Sequence, residues 1–209
     1  MPLIKFSVPA LYCSSFTPES HFRQSEWKYQ TAARGAVELS GLWNLRFVES
    51  APAVHSVPDS VALGSWTDLS FEGAKTTMGT GCYTTTFVIE NPASAQDWLL
   101  SLGDVRESAR VRINGRNVAT LWAVPYCCSV GQYLCPGKKN TLEIEVTNLP
   151  ANRIADMDRR GVKWRIFKDI NIAALGYKKG TYVGWEPVPS GLLGPVRIIP
   201  LKITKNEMQ

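Results

Sequence analysis

The chain has 209 residues, of which 44% are apolar and 20% are charged, a composition typical of an ordinary globular protein. No apolar run reaches the roughly 18 residues that a membrane-spanning helix requires, so no membrane association is predicted. The net charge is only +5, and between residues 151 and 190 eight bases are interrupted by four acids, which argues against a nucleic-acid-binding face.

Three segments are distinguished along the chain. Residues 1–39 are irregular and polar, and we interpret them as an arm or linker. The amino terminus lacks the long apolar region and the small-residue cleavage site of a signal peptide. No cellular compartment is therefore predicted from it. Residues 40–203 are predicted to form one domain, and residues 204–209 a short tail.

Within the domain, apolar and polar residues alternate with the two-residue period of half-buried strands. The Asn114-Gly115 pair directly follows the alternating residues 109–113. A tight hairpin is predicted there, because both central residues of its turn need positive φ, which asparagine and glycine adopt most readily. Short strands separated by turns, without a sustained helical period, predict an all-β antiparallel sandwich. The alternating segments are residues 43–47, 83–89, 109–113, 118–122, 142–146 and 196–203.

One long segment, residues 150–189, has no clean periodicity and is predicted to be a loop rich in aromatic and basic residues. Loops longer than about 12–15 residues are uncommon in compact domains and are usually functional or disordered. The aromatic side chains of this loop predict that it is packed over one end or face of the sandwich, where it would line any cleft.

Five cysteines, at positions 13, 82, 127, 128 and 135, do not have the spacing of a disulfide framework or a zinc site. We interpret them as free and mostly buried thiols. No phosphate loop, dinucleotide fingerprint or serine nucleophile elbow is present, and no cofactor or metal is predicted.

Several blocks of sequence resemble a known family. Residues 102–107, 111–115 and 136–146 are similar to the sugar-binding domain of family 2 glycoside hydrolases, and Trp122 and Tyr126 stand where that family links a tryptophan to a tyrosine. Residues 190–196, with Asn152 and Arg153, resemble the carboxyl-terminal domain of bacterial α-L-rhamnosidase-like enzymes.

The resemblance covers roughly residues 40–201 and implies a galactose-binding-domain-like jelly roll that accompanies a separate catalytic barrel. It implies a non-catalytic accessory module for carbohydrate recognition or for packing against a hydrolase, with a periplasmic or extracellular location if the parent enzyme is exported. Two alternatives stay open, namely hydrolase activity in this chain or its parent enzyme, and a protein–protein docking module. The expected partners are an oligo- or polysaccharide or a glycoside hydrolase catalytic domain.

Candidate ligand-binding residues are aromatic and polar side chains in or beside loops, where binding residues concentrate. An indole ring can pack against the C–H face of a sugar, while polar and charged side chains bind its hydroxyls. The candidates are Trp122, Tyr126, Asn152, Arg153, Trp164, Arg165, Trp185 and Glu186.

No catalytic residue is assigned. Glycoside hydrolysis usually needs two carboxyl groups about 5–9 Å apart, and Asp104 with Glu107 is the pair that most resembles this arrangement. Asp104 lies in a Gly-Asp turn, however, where aspartate commonly caps backbone amides. Asp156, Asp158 and Asp169 lie among many bases and are predicted to be ion-pair partners.

Overall fold

A computed structural model describes residues 26–90, 95–164 and 181–207, with only the backbone considered for residues 26–29 and 204–207. The elements are β1 (Glu26–Ala32), β2 (Val37–Glu38), β3 (Asn44–Ala51), β4 (Met78–Val88), β5 (Asp97–Ser101), β6 (Asp104–Arg106), β7 (Ser108–Ile113), β8 (Arg116–Leu121), β9 (Cys127–Ser129), β10 (Lys139–Thr147), α1 (Ala151–Arg159), β11 (Gly191–Gly194) and β12 (Arg197–Glu207).

The first sheet has the order β3-β4-β10-β7-β8 and is antiparallel throughout. Its central strand, β10, shows the predicted alternation, because Leu142, Ile144 and Val146 are fully buried while Glu143 and Glu145 lie on the other face. The outer face is polar, and Glu145 accepts hydrogen bonds from both Arg110 and Arg112.

The second sheet has the order β1-β12-β5-β9, and β2 also pairs with β12. A two-stranded ribbon of β6 and β11 accompanies the two sheets. The predicted antiparallel β-sandwich is therefore confirmed. The second sheet extends beyond the predicted domain, residues 40–203, because β1 and β2 precede residue 40 and β12 continues to Glu207.

The core lies between the sheets and includes Trp43 and Trp98. A buried polar contact crosses it, because the Trp66 indole N–H donates to the Tyr83 hydroxyl at 2.6 Å. That hydroxyl also accepts from the backbone N–H of Leu192 at 3.2 Å. Burial raises the pKa of Tyr83 to about 12, since water no longer stabilises the phenolate.

The hairpin prediction is confirmed between β7 and β8. Asn114 has φ 52° and Gly115 has φ 75°, the positive values that the tight turn requires. The Asn114 side chain fixes the turn to its neighbours, since its amide donates to the carbonyl of Tyr133 and to the side chain of Asn140.

The prediction that residues 150–189 form a loop is wrong in part, because residues 151–159 form helix α1. Its buried positions are Asn152 and Ala155, neither of which is a large apolar residue. The helix therefore lacks the stripe of large apolar side chains by which an amphipathic helix is identified in a sequence.

The described cysteines are free, as predicted, but their burial varies. Cys82 is fully buried, Cys127 and Cys128 are partly buried, and Cys135 is exposed. Burial, with a smaller contribution from Cys127, raises the pKa of Cys128 to about 12, which makes it a poor nucleophile at neutral pH. Cys13 lies outside the described residues.

Candidate functional site

The strand pairing shows that several loops lie at the same end of the first sheet. β10 ends at Thr147, which pairs with Thr80 of β4 and with Ser108 of β7. The end of β8 lies there too, because Leu121 pairs with Ala109, the residue after Ser108. We call this the helix end, since α1 follows β10 there, and we call the opposite end, with the 114–115 turn, the hairpin end.

The structure places the described candidate residues on connections at the helix end. Trp122 and Tyr126 lie between β8 and β9, Asn152 and Arg153 lie on α1, and Trp164, Trp185 and Glu186 lie on the segments after α1. Arg165 lies outside the described residues. A ligand-binding role for these residues stays a prediction.

Asn152 attaches the segment before β11 to α1. Its side-chain amide donates to the Val188 carbonyl at 2.8 Å, and its carbonyl accepts from the Val188 N–H at 2.7 Å. Two residues later, the Ser190 hydroxyl accepts from the side-chain amide of Asn148. The side-chain carbonyl of Asn148 in turn accepts from the N–H of Gly79. Asn152 therefore holds the backbone in place and has little hydrogen-bonding capacity left for a ligand.

Three aromatic side chains pack near the carboxyl end of α1. The Trp164 indole N–H donates to Asp158 at 2.6 Å, and the same carboxylate accepts from the backbone N–H of Tyr182 at 2.8 Å. The Tyr182 ring meets the Trp185 ring edge to face, with centroids 4.6 Å apart. Arg159 donates to the carbonyl oxygen of Trp185. The Trp185 residue as a whole is about half exposed. Trp185 is therefore held by neighbouring residues while about half of it stays exposed.

Tyr126 and Trp122 lie on one connection but have opposite environments. Trp122 is 78% exposed, whereas Tyr126 is buried and its hydroxyl donates to the Glu107 carbonyl at 2.6 Å. Burial, followed by the negative charges of Glu107 and Asp104, raises the pKa of Tyr126. Tyr126 therefore anchors the connection and does not present its ring to solvent.

Two acidic side chains of α1 accept hydrogen bonds from neighbouring residues. Asp156 accepts from Arg153 at 3.0 Å and from Arg160 at 2.8 Å, so the prediction that Asp156 is an ion-pair partner is confirmed. Asp158 accepts the hydrogen bonds of Trp164 and Tyr182 described above. Asp169 lies outside the described residues.

The Asp104–Glu107 pair lies on the surface at the helix end. Asp104 forms a 2.6 Å ion pair with Arg106, and both side chains are more than a third exposed. A general acid needs a carboxyl group kept protonated by burial or by a neighbouring negative charge. Asp104 is exposed and paired with an arginine, so it has the environment of a structural residue.

A shallow depression of about 450 Å³ lies near the hairpin end, beside the start of β5. Its carboxylate, Asp97, accepts from the N–H groups of Trp98 and Gly131 and from the hydroxyl of Ser129. These bonds connect β5 to β9 and to the turn after β9, which explains the position of Asp97 without a ligand.

Within the described ranges, no group of three or more potential metal ligands converges. Nor does any helix in that part of the chain have the length and apolar character to cross a bilayer.

The aliphatic residue Val124 was not predicted from the sequence as a surface feature, although it is 80% exposed. It belongs to an unbroken apolar stretch, residues 122–125, and all four residues are exposed. An apolar run in a predicted loop is the sequence signal that identifies such a surface.

Comparison with known proteins relates the chain to parts of much larger enzymes. No family model matches it. It is 32% identical over 180 residues to a Formosa agariphila protein named "Putative beta-glucuronidase", an alignment that covers 78% of this chain and 15% of that protein. Among solved structures, the rhamnosidase from Novosphingobium sp. PP1Y is 28% identical with a TM-score of 0.59, and the match covers 85% of this chain and 15% of that one. A β-D-glucuronidase of Dictyoglomus thermophilum shares the fold, with 19% identity, a TM-score of 0.50, and 79% of this chain and 28% of that one covered.

Proposed function

We propose that this domain, which is related to glycoside hydrolases, is a non-catalytic accessory module of a glycan-degrading enzyme. The observation that supports this proposal most strongly is the length of the match. This chain matches only 15% of the rhamnosidase and 15% of the protein named as a glucuronidase. The remaining part of such an enzyme has ample length for a catalytic domain, because a (β/α)₈ barrel needs about 250 residues.

The geometry of the described carboxylates supports this proposal. Asp104 is neutralised by Arg106, and Asp156 is held by two arginines. Glycoside hydrolysis needs two carboxyl groups with different environments facing one sugar. Glu107 and Glu186 lie on separate connections, and the backbone carbonyl of Glu107 serves to anchor Tyr126.

Hydrolysis of aryl rhamnosides, galactosides and glucuronides by the isolated chain tests the proposal. We expect no turnover above that of a Glu107→Gln/Asp104→Asn variant. Turnover that is lost in this variant but kept in a Glu143→Gln control, on the polar sheet face, would transfer the catalytic role to this chain.

Carbohydrate recognition at Trp185 is the second candidate function. The half-exposed indole is held by Tyr182 and Arg159, and the exposed carboxylate of Glu186 follows it directly. Few polar groups converge there, so we expect weak binding. The test is titration calorimetry with rhamnose- and galactose-containing oligosaccharides, comparing the wild type with Trp185→Ala and Trp164→Ala. Binding that neither change weakens would place the sugar elsewhere.

A further inference from the structure

Exposed apolar side chains are concentrated at the helix end. Trp122 and Val124 follow β8, Leu149 follows β10, and Met78 begins β4. Scattered exposed apolar residues are normal on a protein surface, but a concentration of them at one end of a domain marks an interaction surface. We call these four residues, with Ala123 and Pro125, the apolar end surface.

The most prominent part of this surface is the connection of residues 122–125. Its two ends are fixed, because Leu121 pairs with Ala109 in the sheet and Tyr126 donates to the Glu107 carbonyl. The four residues between these anchors are all exposed. A projection that is already ordered loses little conformational entropy when a partner covers it.

Several charged side chains near the surface are already paired within the chain. Asp156 compensates Arg153 and Arg160, and Arg159 donates to the backbone carbonyls of Val183 and Trp185. Apart from the Trp122 indole N–H, the side chains of residues 122–125 cannot form hydrogen bonds. Sugar sites need several polar groups that converge on the hydroxyls, so this composition favours an apolar protein surface as the occupant.

We propose that the apolar end surface is where the catalytic part of the longer glycoside hydrolase packs, with Trp122 as its largest exposed side chain. This inference rests on the proposed accessory function. The occupant is chosen because the sandwich matches 15% of each longer relative, so most of such an enzyme lies outside it. Trp122 alone could bury about 150–200 Å², a substantial part of the roughly 600 Å² at the lower limit of interfaces between domains of one chain.

Hydroxyl-radical footprinting with mass spectrometry tests the packing, since it measures the accessibility of individual side chains. The probe is the Novosphingobium sp. PP1Y rhamnosidase in which this chain replaces the matched segment. Trp122 oxidation should fall roughly fivefold relative to the isolated chain, because the centre of an interface is desolvated. Val88, exposed at the hairpin end, should change little and serves as the internal control. Unchanged oxidation of Trp122 in a folded chimera would overturn the proposal.

Two further measurements decide the matter if the chimera does not fold. In the solved rhamnosidase, the connection equivalent to residues 122–125 should lie within van der Waals contact of residues outside the matched segment. A solvent-facing connection there overturns the proposal. In the isolated chain, protection of Trp122 by a millimolar rhamnose-containing oligosaccharide would also overturn it, in favour of a sugar surface. Neither result depends on turnover by the isolated chain, so failure of this inference is distinguishable from failure of the proposed function.

Discussion

Replacing Gly191 with alanine tests how the β11 segment is attached to the core. Gly191 has φ +100°, and a Cβ there would lie 2.5 Å from the Trp66 indole nitrogen and 2.6 Å from the Tyr83 hydroxyl oxygen. Both atoms belong to the buried Trp66–Tyr83 hydrogen bond, so neither can move without breaking it. Left-handed backbone costs about 1–2 kcal/mol for a residue with a Cβ, and overpacking a core costs about 1–3 kcal/mol. We therefore expect Gly191→Ala to lower the free energy of unfolding by about 2–5 kcal/mol.

Urea unfolding and thermal melts of the isolated chain provide the assay. For a chain of this size the melting temperature should fall by about 4–20 °C, at roughly 2–4 °C per kcal/mol. Gly137→Ala is the matched control, because Gly137 also has positive φ, at +67°, but no atom lies within 4 Å of the position that a Cβ would take there. The control should lose only the backbone contribution, about 1–2 kcal/mol. Equal stability losses in the two variants would refute the reasoning that Gly191 is required by the close approach of Trp66 and Tyr83.

Three other changes have defined outcomes. Asn152→Ala leaves the Val188 N–H and carbonyl unpaired, so it should destabilise the chain by about 2–3 kcal/mol and speed proteolysis before β11, whereas the exposed Asn117→Ala should do neither. Because the folded pKa of Tyr83 is raised to about 12 from an unfolded value near 10, its stabilising contribution is complete below pH 10 and is lost as the pH rises toward 12. The stability difference between wild type and Tyr83→Phe, measured by urea unfolding at pH 8 and 11, should therefore shrink at the higher pH; a constant difference would contradict this. Trp122→Ser should leave the stability of the isolated chain within about 0.5 kcal/mol, since the ring is mostly exposed, and a larger loss by urea unfolding would show that the ring packs on its own domain.

The sequence predicted the elements whose side chains repeat every two residues. Leu142, Ile144 and Val146 were identified because one face of β10 is buried and the other is polar. The 114–115 turn was predictable because its conformation depends on local backbone preferences alone. β2 could not be found in this way, since Val37 and Glu38 are both exposed and the strand exists only through its pairing with β12, far along the chain.

The candidate site was predictable as a set of connections but not in the role of each residue. Trp122 and Tyr126 are equivalent in sequence terms, as aromatic residues in or beside one predicted loop. Their different burial arises from a tertiary contact, the hydrogen bond from Tyr126 to the Glu107 carbonyl, which no local pattern encodes. Asn152 was predicted as a ligand-binding residue because it is polar and lies in a long loop, and the structure shows its amide bound to Val188. The hydrogen bonds between Asn152 and Val188 depend on how two segments 36 residues apart meet in the fold, which local sequence does not indicate.

The central claim, that this sandwich does no glycosidic chemistry by itself, is tested most directly by comparing catalytic rates. The isolated chain and the intact Novosphingobium sp. PP1Y rhamnosidase are assayed at equal molar concentration on the same aryl rhamnoside, with an aryl glucuronide as the second substrate. We predict that the isolated chain is indistinguishable from buffer on both substrates while the rhamnosidase turns over its own. Turnover by the isolated chain that co-purifies with it and disappears in the Glu107→Gln/Asp104→Asn variant would contradict the account.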